Sequence, residues 1–315
     1  MLAETQTSTT TVKQSKLQNP LLKAYGALAL GVLCIGFSAI FTKWADVPGS
    51  VSAFYRVLIA TVVLAIPFAL QSARRSTAHD GEGEAGRHVR VPTSALWLTA
   101  FAGLFFALDL GFWNTSLFYT SAANSTLLGN TSTLWVSLGA LLIFHESLKR
   151  RFWLGMAIAL VGAAIVVGRD VFEHPNLGFG DLLSIFSSLF YAGYLLTTGR
   201  ARRHLGTLRF MWLSSLVATV LLFIYVLVMQ EQLTGFSANT WLSLLALGLI
   251  SHALVWMAIN YALGHLPAPL TAVTLLSQPV ITALLAVPLL GEGISPYQVA
   301  GGLLVLFGVY IVNRK

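Results

Sequence analysis

Hydrophobic positions along this chain gather into ten long apolar stretches that are separated by short polar gaps. The stretches cover residues 24–43, 50–71, 95–119, 121–144, 152–168, 180–199, 207–229, 240–263, 268–290 and 296–313. Most of them are near the ~20 residues that a helix needs to cross the hydrocarbon core of a bilayer. The pattern therefore predicts an all-α integral membrane protein with ten transmembrane helices.

Basic residues are concentrated in every second gap between these stretches. The N-terminal tail and the gaps after stretches two, four, six and ten hold Lys13, Lys16, Lys23, Arg74, Arg75, Arg87, Arg90, Lys149, Arg150, Arg151, Arg200, Arg202, Arg203, Arg209, Arg314 and Lys315. The opposite gaps hold only Lys43 and Arg169, and Arg56 lies within a stretch. Because lysine and arginine mark the cytoplasmic side of a membrane protein, we expect both termini to be cytoplasmic.

The composition supports the membrane interpretation. Hydrophobic residues make up 56% of the 315 residues and charged residues only 10%, whereas a soluble globular protein carries about 25% charged residues. The net charge of +7 is spread over the predicted cytoplasmic gaps, where anionic lipid headgroups attract it. We therefore expect the lipid bilayer as a partner and no nucleic acid.

The two halves of the chain repeat each other. A shift of 146 residues aligns their last three stretches without a gap and places Asn114 on Asn260, Glu146 on Glu292, Gly155 on Gly301 and Gly162 on Gly308. The repeat unit therefore has five spans, and an odd unit enters the membrane in opposite senses in its two copies. The predicted organisation is a disordered cytoplasmic tail over 1–22, a first five-helix repeat over 23–169 and a second over 170–315. Inverted repeats of this kind place a substrate site near the bilayer midplane.

Three segments carry a resemblance to a known family: Ala53-Phe54-Tyr55-Arg56, the run 119–124 (Tyr-Thr-Ser-Ala-Ala-Asn), and Glu146-Ser147-Leu148 followed by Gly155 and Gly162. Over about 24–313 the chain resembles the ten-helix, EamA-type branch of the drug/metabolite transporter superfamily. The resemblance implies two five-helix bundles around a central cavity. It implies that spans one, three, four, six, eight and nine line that cavity, with spans five and ten outside it.

Polar side chains within the stretches mark the faces expected to line the cavity, because polar groups are costly on a lipid-facing surface. They recur at helical spacing in stretches four, six and eight, and the repeat extends the set to stretch nine. The candidates are Asn124, Thr131, Ser132, Trp135, Ser187, Tyr191, Tyr194, His252, Trp256, Asn260, Ser277 and Gln278. The alternative is structural: serine and threonine in membrane helices often bond to their own backbone or to a neighbouring helix, and a lone histidine often only packs.

Two charged residues lie inside the spans, Arg56 in the second and Asp109 in the third. Both are expected in the outer half of the membrane, about one helical turn apart in depth. They could form a structural pair, Arg56 could extend outward to the interface, or Asp109 could be a titratable site for proton coupling, since intramembrane carboxylates are commonly functional.

The scarcity of other charges narrows the expected substrate. Multiply phosphorylated substrates would require several cavity cations, and only Arg56 is present. The resemblance also implies that exporters of lipophilic cations carry a glutamate in the first span, and the run 24–42 has no acidic residue. A neutral or zwitterionic metabolite remains, and aromatic and amide groups suit an amino acid.

We therefore expect a secondary-active exporter of amino acids, including aromatic or other neutral ones, in a bacterial inner membrane, working by alternating access; the direction rests on the resemblance. A carrier of another neutral metabolite or drug, such as a purine or a neutral sugar, is the alternative, and a channel is a weaker one. No catalytic or metal-ligand motif supports an enzyme, a cofactor or a metal site. The sequence leaves a monomer and a homodimer open.

Overall fold

The computed structural model describes residues 20–79, 91–167, 178–291 and 293–314, and within these ranges it contains helices and no strand. The helices are α1 (Pro20–Ala45), α2 (Gly49–His79), α3 (Thr93–Ser116), α4a (Ala122–Asn130), α4b (Ser132–Leu142), α5 (Arg150–Val167), α6 (Phe179–Ala201), α7 (Thr207–Val228), α8 (Ala238–Leu263), α9a (Ala268–Leu275), α9b (Gln278–Leu290) and α10 (Pro296–Asn313). They follow the ten predicted stretches in order. The all-α membrane fold predicted from the hydrophobic pattern is confirmed.

Nine helical segments in the described ranges are long and apolar enough to cross a membrane. The remaining predicted span, stretch four, is not among these nine, and it forms two short helices, α4a and α4b, that meet at Thr131. It also carries Asn124 and Asn130 together with several hydroxyl side chains, which lower its hydropathy. This helix is therefore adapted to a protein interior more than to lipid.

Helix boundaries follow from capping residues in the gaps. The Ser121 hydroxyl accepts a hydrogen bond from the Asn124 backbone N–H at 3.1 Å and begins α4a. Ser295 and Gln298 form a reciprocal capping box that begins α10. Gly291 ends α9b in the left-handed conformation, with φ of 68°, which glycine adopts without strain. These local signals fix where α4a and α10 begin and where α9b ends.

The packing of the helices repeats between the two halves of the chain. α3 packs along α6, and its equivalent α8 packs along α1, the equivalent of α6. The equivalent helices α2 and α7, α4 and α9 (through α4b and α9a), and α5 and α10 are also in contact. The main helix pairs of one repeat therefore have counterparts in the other, as a twofold relation between the repeats leads one to expect.

Glycine contacts between α5 and α10 reveal the relative direction of the repeats. A Cβ on Gly155 would lie 2.8 Å from the Gly308 carbonyl oxygen, and a Cβ on Gly162 would lie 2.7 Å from that of Gly301. The early residue of one helix thus faces the late residue of the other, so the two helices run antiparallel. Since α5 and α10 are equivalent in the repeat, the repeats have opposite orientations in the membrane.

Two further pairs of equivalent residues meet at the junction of the repeats. The segments Ala60-Thr61-Val62 of α2 and Ala218-Thr219-Val220 of α7 correspond, and the two threonine hydroxyls lie 3.0 Å apart. Phe106 of α3 corresponds to His252 of α8 under the shift of 146, and their ring centroids lie 5.3 Å apart. Equivalent residues can touch only near the twofold axis, so this axis passes between Phe106 and His252.

Candidate functional site

The fourth and ninth helices are interrupted at equivalent positions. α4a and α4b are separated at Thr131, and α9a and α9b are separated at Leu276 and Ser277, which the repeat aligns with Asn130 and Thr131. Interrupted helices near the membrane midplane commonly border the binding sites of transporters, because the exposed backbone groups can serve a substrate or ion. The predicted site residues Thr131, Ser132, Ser277 and Gln278 lie at these interruptions.

An aromatic cluster surrounds the axis at the centre of the molecule. Trp256 of α8 contacts Tyr194 and Tyr191 of α6, with ring centroids 5.2 Å and 6.1 Å away in edge-to-face arrangements. Phe106 lies 5.1 Å from Trp256 and 4.9 Å from Tyr194. We call Phe106, Tyr191, Tyr194, His252 and Trp256 the central aromatic cluster. Four of its five members were candidates from the sequence.

Phe106 was not among the candidates, because they were chosen as polar or amphipathic residues at helical spacing and phenylalanine is apolar. The internal repeat could have identified it, since it occupies the position equivalent to His252. Once His252 is a candidate, its partner across the twofold axis becomes one too.

The middle of α8 departs from regular α-helix. Leu247–Leu254 form a π-helix, a rare geometry that is frequent at functional sites. Ser251 and His252 lie in this segment, both are buried, and the Ser251 hydroxyl and the His252 Nδ1 lack a hydrogen-bond partner among the described residues. Buried polar atoms are normally satisfied, so this segment has bonding capacity left for a ligand or water.

Asn260 connects the cluster to the ends of α6 and α8. The Tyr194 hydroxyl donates to Asn260 Oδ1 at 3.0 Å, and the Asn260 carbonyl accepts from Arg202 Nε at 2.9 Å. Burial lowers the pKa of the Arg202 guanidinium to about 10, which keeps it charged at neutral pH. A cation bonded to a carbonyl in the last turn of a helix is favourable, so Arg202 stabilises this junction.

The two intramembrane charges lie beside the cluster. Arg56 is seven residues from the start of α2 and Asp109 seven from the end of α3, so both lie about 10 Å from the same end of the bundle. Ser187 of α6 donates to Asp109 Oδ1 at 2.6 Å. Arg56 is close enough to Asp109, Tyr191 and His252 to interact with them electrostatically.

Arg56 and Asp109 do not form a direct ion pair. Both side chains are half-buried, and the Arg56 Nε is a buried donor without a hydrogen-bond partner among the described residues. The interpretation of a closed structural pair is therefore not what the geometry shows. The cation and the carboxylate are neighbours that each retain free bonding capacity.

Other predicted residues gather on a second face of α6. Trp135 Nε1 donates to Ser188 Oγ at 3.0 Å, and Thr131 Oγ1 lies at the same distance from that atom. Ser188, adjacent to the predicted Ser187, was not a candidate. In the part of the chain that the structure describes, the Trp135 ring makes no ring contact with the central aromatic cluster. Asn124 lies about two turns before Thr131, at the start of α4a, and its Oδ1 is buried without a partner among the described residues.

Ser132 and Ser277 are buried and Gln278 is half-buried. Gln278 begins α9b, which packs against both halves of α1. Thr282 of α9b reaches the Gly36 carbonyl at 3.4 Å, where α1 is itself interrupted between Ile35 and Phe37. Gln278 therefore begins the helix that packs against the interrupted part of α1.

A vestibule of about 270 Å³ opens at the opposite end of the bundle from Arg56 and Asp109. It is bordered by the ends of α4b, α6 and α8 and by the start of α9a. Arg200 donates to Glu146 at 3.3 Å and lies 3.9 Å above the Phe144 ring, and Arg203 completes the ion-paired group. Glu146 thus orients basic side chains at the vestibule mouth, which the charge pattern predicts to be cytoplasmic.

Inverted five-helix repeats with polar and aromatic residues at their junction are typical of a class, the membrane transporters. The comparison with family models identifies the group within this class: residues 22–168 and 178–314 each match the EamA-like transporter family. The chain belongs to that family.

Two individual comparisons agree with this membership. The chain is 25% identical over 302 residues to an uncharacterized transporter of Archaeoglobus fulgidus, and the match covers 93% of this chain and 98% of the relative. A protein of known crystal structure matches with a TM-score of 0.72 at 18% identity, over 92% of this chain and 96% of the other. The latter likeness concerns the fold alone.

Proposed function

We propose that this transporter exports amino acids, including large or aromatic ones, across the inner membrane of a bacterium. The observation that carries the proposal is the composition of the site at the twofold axis. It combines the central aromatic cluster with one cation, Arg56, and one carboxylate, Asp109, whose formal charges cancel. A site of this kind suits a substrate that has an apolar body and no net charge.

The proposed mechanism is alternating access. Two repeats with the same internal packing but opposite orientation can exchange conformations, so that a site on the axis opens first to one side and then to the other. The interruptions of α1, α4 and α9 are candidates for the positions that bend, because their helical hydrogen bonding is already broken. The vestibule beside Arg200 supports access from the predicted cytoplasmic side, the side from which an exporter loads.

The test is counterflow into proteoliposomes containing the purified protein. Vesicles preloaded with an unlabelled amino acid should accumulate external labelled L-phenylalanine transiently and saturably, which a channel would not do. A panel of neutral sugars, purines and nucleosides serves as competitors. Competition by these compounds and by no amino acid would replace the substrate proposal with the neutral-metabolite alternative.

A further inference from the structure

The charged side chains beside the central aromatic cluster support a more specific assignment, which rests on the proposed function. We propose that Arg56 and Asp109 form an open clamp for a zwitterion: Arg56 binds the substrate carboxylate, Asp109 binds its ammonium group, and the central aromatic cluster binds its side chain. The bound substrate then pairs with both charged residues, which do not form an ion pair with each other.

The first argument is the cost of charges within a membrane. An arginine and an aspartate held inside membrane helices are strongly unfavourable unless each has a partner of opposite charge. A direct salt bridge would provide this, and two residues at one depth on adjacent helices could form it. Arg56 and Asp109 instead interact only across a gap, and the Arg56 Nε is buried without a hydrogen-bond partner in the described part of the chain.

The second argument is the way Asp109 is held. The Ser187 hydroxyl donates to Asp109 Oδ1 at 2.6 Å, and no described side chain hydrogen-bonds to Oδ2. The bond orients the carboxylate from α6 and leaves one oxygen to accept from a ligand. An ammonium group, with three donors and no acceptor, complements that oxygen.

The third argument is the position of Tyr191, which joins the charged and the aromatic parts of the site. Tyr191 lies near both Arg56 and Asp109, and its ring contacts Trp256 and Tyr194. A substrate whose two charged groups meet Arg56 and Asp109 would therefore project its side chain toward Tyr191 and Trp256. Rings in that arrangement favour an aromatic or other large apolar side chain.

The internal repeat shows that the clamp belongs to one half of the molecule. Asp109 corresponds to Val255 under the shift of 146, and the alignment of Thr61 with Thr219 places Arg56 on Ser214. Neither equivalent carries a charge. The fold therefore does not require charges at these positions, because the second repeat builds the same helices without them.

The other groups that face Arg56 fit this assignment. His252 and Tyr191 approach it from α8 and α6, and neither supplies a negative charge at neutral pH. Asp109 is the one carboxylate in its surroundings among the described residues. A bound carboxylate would thus complete the neutralisation of Arg56 that Asp109 provides only in part.

The experiment measures the affinity of purified wild-type protein for three ligands that share one phenyl-alkyl skeleton. L-phenylalanine has both charges, phenethylamine lacks the carboxylate, and 3-phenylpropanoate lacks the ammonium group. We expect the two single-charge probes to bind about 10- to 100-fold more weakly than phenylalanine, the loss of one charge-assisted hydrogen-bonded contact. Equal affinity for all three would overturn the clamp without any variant being needed.

Two substitutions then assign the roles. Arg56→Gln should lower the affinity for phenylalanine to that for phenethylamine and leave phenethylamine binding little changed. Asp109→Asn should lower the affinity for phenylalanine to that for 3-phenylpropanoate and leave 3-phenylpropanoate binding little changed. Lys149→Gln, an exposed cation of the α4–α5 gap, is the matched control and should bind all three probes like wild type. If Arg56→Gln does not fold, Arg56→Lys should retain carboxylate recognition at reduced affinity.

The outcomes separate this inference from the proposed function. If amino acids undergo counterflow but both substitutions weaken the three probes equally, the clamp is wrong and the exporter proposal stands. If no amino acid competes in counterflow, the exporter proposal fails, and the clamp fails with it.

Discussion

The close crossing of α5 and α10 can be tested quantitatively by the substitution Gly308→Ala. The new Cβ would lie 2.5 Å from the Gly155 carbonyl oxygen and 2.6 Å from the Ala159 backbone nitrogen. Ordinary contacts begin near 3.4 Å, so the helices would have to separate by about 0.9 Å to accept one methyl group. Both contacted atoms are backbone atoms, so no side-chain rotation can relieve the clash.

Two opposing effects set the expected magnitude. Alanine is a better helix former than glycine by about 1 kcal/mol, whereas overpacking a close helix contact costs about 1–3 kcal/mol. The difference is a net loss of about 0–2 kcal/mol, and we expect the upper end of that range, because the backbone of α5 cannot move without disturbing the neighbouring contact of Gly162 with Gly301. In the double variant, Gly155→Ala should lower the free energy of unfolding by less than it does alone, since one helix displacement accommodates both methyl groups.

The assay is the thermal stability of purified protein, followed as the fraction that remains monodisperse after heating. Gly111→Ala in α3 is the matched control, since a Cβ there meets nothing within 4 Å, and it should be neutral or slightly stabilising. A Gly308→Ala protein as stable as Gly111→Ala would refute the close crossing of α5 and α10 at this glycine.

Three further predictions address topology, transport and coupling. Cysteines placed at Lys149 and Gly293 in a background lacking Cys34 should label from opposite sides of the membrane with an impermeant maleimide, and labelling from one side would contradict the inverted repeat. Trp256→Ala should lower counterflow at least tenfold at unchanged folded yield, because the large central ring is lost, whereas a loss of folded yield would indicate a structural role. Asp109→Asn should abolish the pH dependence of transport only if protons are coupled; an unchanged pH profile would return Asp109 to substrate binding alone.

Much of the architecture could be predicted from the sequence, because each of its signals is local. The ten stretches became helices in the expected order, and the shift of 146 residues correctly paired Gly155 with Gly301 and Thr131 with Ser277. The stripe of His252, Trp256 and Asn260 does share a buried face. The prediction did not include the interruption of α4 at Thr131 or the π-helix around His252, since both depend on how neighbouring helices satisfy the backbone.

The site residues were predicted less completely. Ser187 and Ser188 are adjacent in the chain, yet one bonds to Asp109 and the other to Trp135. A stripe at steps of three and four assigns residues to a face, but it cannot say which helix that face meets. Phe106 was missed for a related reason: its role comes from its place at the twofold axis and not from its chemistry.

The sequence by itself determined that the protein spans a lipid bilayer, the number and order of its helices, and the equivalence of its two halves. These properties follow from hydrophobic length, charge position and repetition, which a bilayer enforces on each segment separately. Only the tertiary structure decided that α5 and α10 cross in close contact at their glycines, that Arg56 and Asp109 stay apart, and that five rings gather at the axis. Those features depend on the rotation and crossing of each helix against its neighbours, and side-chain packing between distant segments sets both.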